Sequence, residues 1–147
     1  MASISGGALD VASPLEELSE QECWLLLSGQ GVGRVGLTAG AMPAILPVNY
    51  AVFDGAIVFR TTVGSKLSAA IAHAVVCFEV DFFDSDTRQG WSVLAVGMAD
   101  ELTEPLRSRV IGLPLEPWAG EGRDHVVSIV PRVLSGRRIG PVSPLPS

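Results

Sequence analysis

The spacing of apolar residues changes several times along the chain, and each change marks an element. Ser19 followed three positions later by Glu22 forms a capping box, and Cys23, Trp24, Leu26 and Leu27 continue it as an apolar stripe at helical spacing. A helix is predicted from about Ser19 until Ser28-Gly29-Gln30-Gly31 ends it, although Ser13 and Glu16 offer a competing start. The period then falls toward two. Gly33 to Thr38 reads as a strand with Ala39-Gly40 as its turn, and Pro43 to Phe53 as a longer strand whose Pro47 calls for an edge or a bulge. Asp54-Gly55 is a two-residue hairpin signal returning the chain through Ala56 to Thr61. A short helical stretch is expected over Leu67 to His73. In Val75 to Asp81, Val76, Phe78 and Val80 share one face and Cys77, Glu79 and Asp81 the other. Phe82 to Gly90 reads as a polar loop and Trp91 to Leu102 as a strand bent at Gly97. Pro105 to Leu113 reads as a short helix, and His125 to Val130 with Val133 to Ile139 as a last strand and its continuation.

These elements sum to about six antiparallel strands with a few short helices, which a small closed barrel accommodates by removing exposed sheet edges. One domain is expected over residues 15–140, with a loose arm at 1–14 and an irregular proline-rich tail at 141–147.

Composition narrows the class. The chain has 147 residues, 48% hydrophobic and only 18% charged, which favours one compact domain over long disorder. A mean hydropathy of +0.39 is high for so small a domain, and an apolar surface covered in a homodimer accounts for it. A net charge of −6 argues against a nucleic-acid partner. No apolar run reaches the roughly 20 residues that span a bilayer, and the N-terminal stretch has no signal-peptide pattern. Cys23 and Cys77 are the only cysteines and have no metal-ligand spacing, so no metal site is expected and a reducing cytoplasmic setting fits.

Chemistry concentrates in Phe59-Arg60-Thr61-Thr62-Val63-Gly64-Ser65-Lys66-Leu67. Arg60 ends a strand, a glycine follows, and Ser65 and Lys66 open a helix whose first N–H groups attract anions. Arg60 clamps a phosphate through two donors, Lys66 adds a point charge, and the hydroxyls satisfy the remaining oxygens. An ordinary strand–turn–helix with Ser65 as N-cap and two solvated cations would show the same spacing. There is no GxSxG, HExxH, P-loop or GxGxxG pattern to support a hydrolase or a nucleotide triphosphatase.

Read together, GVGRVGLT, AILPVNYAVFDGAIVFRTTVGSKL, VVCFEVDFFDSDTRQGWSVLAVGMADEL and PWAGEGRDHVVSIVPRVLSGRRIG occur in the order found in the pyridoxamine 5′-phosphate oxidase-like family of FMN-binding split barrels, which residues 19–140 resemble. The resemblance implies a mainly β fold, a six-stranded antiparallel Greek-key split β-barrel, with FMN at the interface of a homodimer. It maps the phosphate onto Arg60, Thr61, Ser65 and Lys66, with Thr62 a further candidate. It runs the strand carrying Pro47, Val48, Asn49 and Tyr50 beside the flavin ring, where backbone groups meet the ring edge. Trp91 and Ser92 match a block that reaches the flavin from the neighbouring subunit. Relatives of this fold also use the deazaflavin F420 or haem. The C-terminal Arg- and His-containing segment that grips substrate in true pyridoxamine phosphate oxidases has no counterpart in GRRIGPVSPLPS, so the vitamin B6 reaction is not implied.

The expected activity is a flavin oxidoreductase acting on a small-molecule substrate, and the alternative is a flavin- or haem-binding protein that stores or senses its ligand. Several residues keep two readings. Glu79 and Asp81 either approach a ligand or line a solvated exterior, and Asn49 either bonds the flavin or steadies a kink after Pro47. Trp24 reads as core. His73 and His125 have no partner at metal or triad spacing, and Arg34, Arg137 and Arg138 read as solvated cations.

Overall fold

Two-residue turns with positive φ shape the first half of the sheet. Gly40 and Ala41 (φ 56° and 67°) join β2 (Val32–Ala39) to β3 (Met42–Phe53), and Asp54 and Gly55 (φ 51° and 75°) join β3 to β4 (Ala56–Thr61). Positive φ at both turn residues matches the right-handed twist of the flanking strands. In this computed structural model the described residues are 15–61, 71, 73–115 and 125–140. The arm at 1–14, the tail at 141–147, Thr62, Ser65, Lys66 and most of the predicted 67–73 helix lie outside them.

Among the described residues seven strands are present rather than six. Besides β2 to β4 they are β1 (Leu15–Glu17), β5 (Ala74–Asp84), β6 (Gln89–Glu101) and β7 (His125–Ile139). The sheet order is β1-β7-β4-β3-β2-β5-β6, and a further β6–β7 ladder closes β2 to β7 into a six-stranded ring, all of it antiparallel. The seventh strand, β1, adds to the far end of β7, with Leu15 opposite Ile139. Three exposed residues carry no readable period, and the Ser13–Glu16 box suggested a helix there instead. Glu16 is in fact a strand residue, paired to Arg138 at 3.3 Å.

The helix α1 (Glu20–Ser28) starts at the predicted capping box, with Ser19 accepting from the Glu22 N–H and Glu22 accepting from the Ser19 N–H. Cys23 and Leu27 point into the barrel, and Trp24 and Leu26 pack against its core. A second helix, α2 (Leu106–Val110), is shorter than the predicted 105–113 segment.

The predicted loop at 82–90 is a correction. Phe82 to Asp84 pair with Gln89 to Trp91, so only the four residues Ser85 to Arg88 turn the chain. Asp84 sets that turn, its carboxylate accepting from the Asp86 N–H at 2.9 Å and its carbonyl from the Arg88 N–H at 2.8 Å. The aromatic pair belongs to the strand, and the polar composition that suggests a loop belongs to the turn and the Asp84–Gln89 pair that closes it.

Alternation along β5 is as expected, with Val76, Phe78 and Val80 buried. The two predicted C-terminal segments are one strand, β7. It carries a bulge where Gly97 opposes Pro131 and Val96 opposes Val133, leaving Arg132 between them. A Cβ on Gly97 would lie 2.3 Å from the Val130 carbonyl oxygen, which explains the glycine. Pro47 sits in regular register opposite Arg34 without a bulge.

Tyr50, Phe59, Phe78, Ile57 and Ile129 fill the ring. Phe78 lies over Gly33, where an added Cβ would approach its ring to 2.3 Å. Gly33→Ala is therefore expected to overpack a site that cannot yield, lowering stability by about 1–3 kcal/mol; urea unfolding measures it.

Candidate functional site

The two tight turns decide which groups of β3 are available. In a two-residue hairpin the closing pair is hydrogen-bonded, here Ala39–Met42 and Phe53–Ala56. Even-numbered residues of β3 therefore bond to β2, and odd-numbered ones turn their backbone groups to the other edge. The Tyr50 N–H donating to the Gly31 carbonyl at 3.0 Å keeps that parity. The β3–β4 ladder covers only Tyr50–Phe53, so over Met42–Asn49 no described strand pairs with that second edge. Pro43, Ile45, Pro47 and Asn49 face it. Since two of the four are prolines, this edge presents more carbonyls than N–H groups.

Side chains split the same way. Val48 and Tyr50 are buried in the core, whereas Pro47 is exposed and Asn49 half-buried on the outer surface. The Tyr50 hydroxyl donates to the Leu27 carbonyl near the end of α1, and burial pushes its pKa up to about 12. Of the four β3 positions predicted to meet the ring, Pro47 and Asn49 therefore face outward, and Val48 and Tyr50 anchor the strand from inside. A cleft of about 510 Å³ opens beside Asn49, between the end of α1, Gly31, Ala51 and Pro114.

Arg60 and Thr61 fall on opposite faces of β4. Thr61 is buried in line with Ile57 and Phe59, and Arg60 is half-buried on the outward side with Val58. Asn49 and Arg60 are the positions next beyond the Tyr50–Phe59 pair, so they share one outer surface. Opposite Thr61 in the ladder stands His125, whose Nδ1 lies 2.8 Å from Glu101 Oε2. His73 likewise has Asp100 at 2.8 Å. Both histidines thus have carboxylate partners that sequence spacing did not reveal, because strand pairing over long separations supplies them. Among the described residues no three potential ligands gather into a metal site.

Trp91 and Ser92 lie at the opposite end of the barrel. On β7, Arg60 is opposite Val126 and Trp91 opposite Arg138, twelve residues on; this is roughly 40 Å of strand at ~3.3 Å per residue. Trp91 packs against the core, while Ser92 faces outward between Asp81 and Arg137. Within one copy these two residues and Arg60 cannot hold the same small ligand.

The outer surface of β2, β3, β5, β6 and β7 is markedly apolar. Ile45, Val75, Val130 and Val133 are each more than half exposed, and Leu94 and Met98 lie among them. Arg34 is not a lone solvated cation here: its Nη1 lies 3.2 Å from Glu79 and 3.5 Å from Asp81. Desolvation, helped by the Asp81 carboxylate, raises the Glu79 pKa to about 7 against the opposing pull of Arg34. Arg138 also has partners, Glu16 and Glu22. No described helix is long and apolar enough to cross a membrane.

Comparison with known proteins adds family and fold. The family whose model matches residues 19–138 is described as pyridoxamine 5′-phosphate oxidase. An uncharacterized protein of Mycobacterium tuberculosis is 38% identical over 133 residues, covering 87% of this chain and 88% of its own. A Corynebacterium glutamicum structure, provisionally described as a pyridoxamine 5′-phosphate oxidase, is 33% identical, with a TM-score of 0.74 over 86% of this chain and 99% of its own. An FAD binding protein from Mycobacterium smegmatis is 31% identical, with a TM-score of 0.66 over 84% of this chain and 97% of its own. The barrel is thus a split barrel of the kind these proteins share.

Tyr50→Phe is expected to remove the hydroxyl donor to the Leu27 carbonyl, which still accepts from the Gln30 N–H at 3.4 Å, costing about 0.5–1.5 kcal/mol. Urea unfolding, with amide exchange at the end of α1 as a local readout, checks it.

Proposed function

As a member of the pyridoxamine 5′-phosphate oxidase family, to which this chain belongs, it is, we propose, a flavin-dependent oxidoreductase that acts as a homodimer with FMN between the two copies. The observation that carries this reading is the division of the expected cofactor residues between opposite ends of one barrel. A second copy laid over the apolar outer surface supplies Trp91 and Ser92 where the first supplies Arg60 and Asn49. The exposed Ile45, Val75, Val130 and Val133 support the same pairing, because a small protein rarely leaves so much apolar surface uncovered.

Each group has a defined task. Arg60, at the outward end of β4, binds the flavin phosphate through its forked donors, with Thr62, Ser65 and Lys66 completing the cradle, whereas Thr61, buried on the opposite face, holds the strand end from inside. The open edge of β3 suits the rim of a flavin ring, since the Pro47 carbonyl accepts a hydrogen bond and Asn49 both donates and accepts. Val48 and Tyr50 hold that edge in place. Apolar walls from both copies exclude water around the ring. A bound flavin supplies hydride and electron exchange between a reduced nicotinamide or other donor and a small-molecule acceptor.

FMN ranks ahead of FAD, F420 and haem because the Arg60–Lys66 cluster suits one phosphate group, and a longer phosphorylated tail needs further basic surface in a chain of net charge −6. FAD binding by the Mycobacterium smegmatis relative, 31% identical, supports a flavin in general. The purified protein is expected to be yellow and dimeric, and mass analysis of the released ligand to give FMN. Arg60→Ala combined with Lys66→Ala should leave it colourless. Full flavin occupancy in that double variant would refute the site, and a fully occupied monomer in light scattering would refute the dimer. Flavin reduction by NADH or NADPH with turnover of an acceptor is expected; a bound flavin that is never reduced points to storage or sensing instead.

A further inference from the structure

Glu79 and Asp81 lie two residues apart on the outward face of β5, and both reach the single guanidinium of Arg34 on β2, at 3.2 Å and 3.5 Å. The surroundings of Glu79 offer little further compensation. Opposite it on β6 is Leu94, with Ser92 and Val96 diagonal to it. On its own strand Cys77 is the outward neighbour on the other side, and Arg34 has Pro47 across from it on β3. Arg137 on β7 stands two strands away, opposite Ser92. Two carboxylates and one cation leave an excess negative charge in the middle of an apolar surface.

A closed two-fold dimer meets this surface with its own image, so two such clusters lose water together. Removing unbalanced charge from water is strongly unfavourable, and a carboxyl group escapes the penalty by holding a proton. Once protonated, Glu79 can donate to Asp81 while Arg34 neutralises the remaining carboxylate. We infer that pairing of two copies is proton-linked through Glu79, the dimer tightening as pH falls and loosening as it rises. This rests on the proposed dimer and adds a regulation to it. Because Asp81 is opposite Ser92 on β6, the titrating pair also adjoins the cofactor residues that one copy lends the other.

The raised Glu79 pKa of about 7 in the isolated chain fixes the window. Burial by a second copy disfavours the charged form further, so dimerisation takes up protons above pH 7, and each proton taken up weakens association by up to about tenfold per pH unit as pH rises. The test is the dimer dissociation constant from sedimentation equilibrium at pH 6, 7, 8 and 9, on flavin-loaded protein. Wild type is expected to weaken at least about tenfold across that range. Glu79→Gln should remain dimeric and lose the slope. Arg34→Gln, which removes the cation opposing protonation, should shift the transition to higher pH. The opposite signatures of these two variants separate proton linkage from simple damage to the interface. A wild-type dimer with constant affinity from pH 6 to 9, or an unchanged slope in Glu79→Gln, overturns the linkage and leaves the dimer standing. A monomer at every pH overturns both.

Discussion

Closure of the sheet depends on one strand satisfying three partners. β7 pairs with β4 over His125–Ile129, with β6 over Val127–Ile139, and with β1 at its far end. Backbone N–H and C=O groups taken from water must find partners, and a ring of strands provides them everywhere except along the stretch of β3 before Tyr50. The bulge at Pro131 and Arg132 gives β7 the local kink that such a ring needs, and Gly97 makes room for it. With closure in place, Tyr50, Phe59 and Phe78 have a sealed interior, and α1 can dock Cys23 and Leu27 onto it.

The same closure arranges the candidate site. β4 ends at Arg60 and Thr61 near the start of β7, whereas Trp91 and Ser92 sit near its end. A residue order that looks contiguous in function is therefore spread over a whole barrel length. Only the ladder shows this, because twelve residues of one strand lie between the two groups. The division of β3 follows from turn chemistry: one face and every second backbone group serve the core and β2, and the others serve the outside.

Local signals were legible in the sequence. The Ser19–Glu22 box, the Asp54-Gly55 turn and the Val76-Phe78-Val80 alternation are set by neighbours within a few residues, so composition carries them. The bend at Gly97 was legible for the same reason. Features set by distant pairing were not. β1 is a strand only because β7 extends beyond β4, and three residues offer no period to read. Glu101 reaches His125 across 24 residues, and Arg34 reaches Glu79 across 45. Phe82 and Phe83 adjoin the acidic turn in sequence, but their pairing ties them to β6. Of the positions proposed to hold a cofactor, those on described strands can be followed in space, and Thr62, Ser65 and Lys66 lie outside the described residues.

Among the described residues no strand lies beside the outward edge of β3 over Met42–Asn49, and an edge of that length can serve as a template for another chain. Pro43 and Pro47 stand at two of the four positions that face outward along that edge, so an intruding strand would find gaps in place of every second donor. A small planar molecule needs only one or two of the remaining groups and loses nothing by those gaps. The prolines thus discourage runaway assembly of the protein on itself, and the gaps they leave would cost a compact ligand nothing.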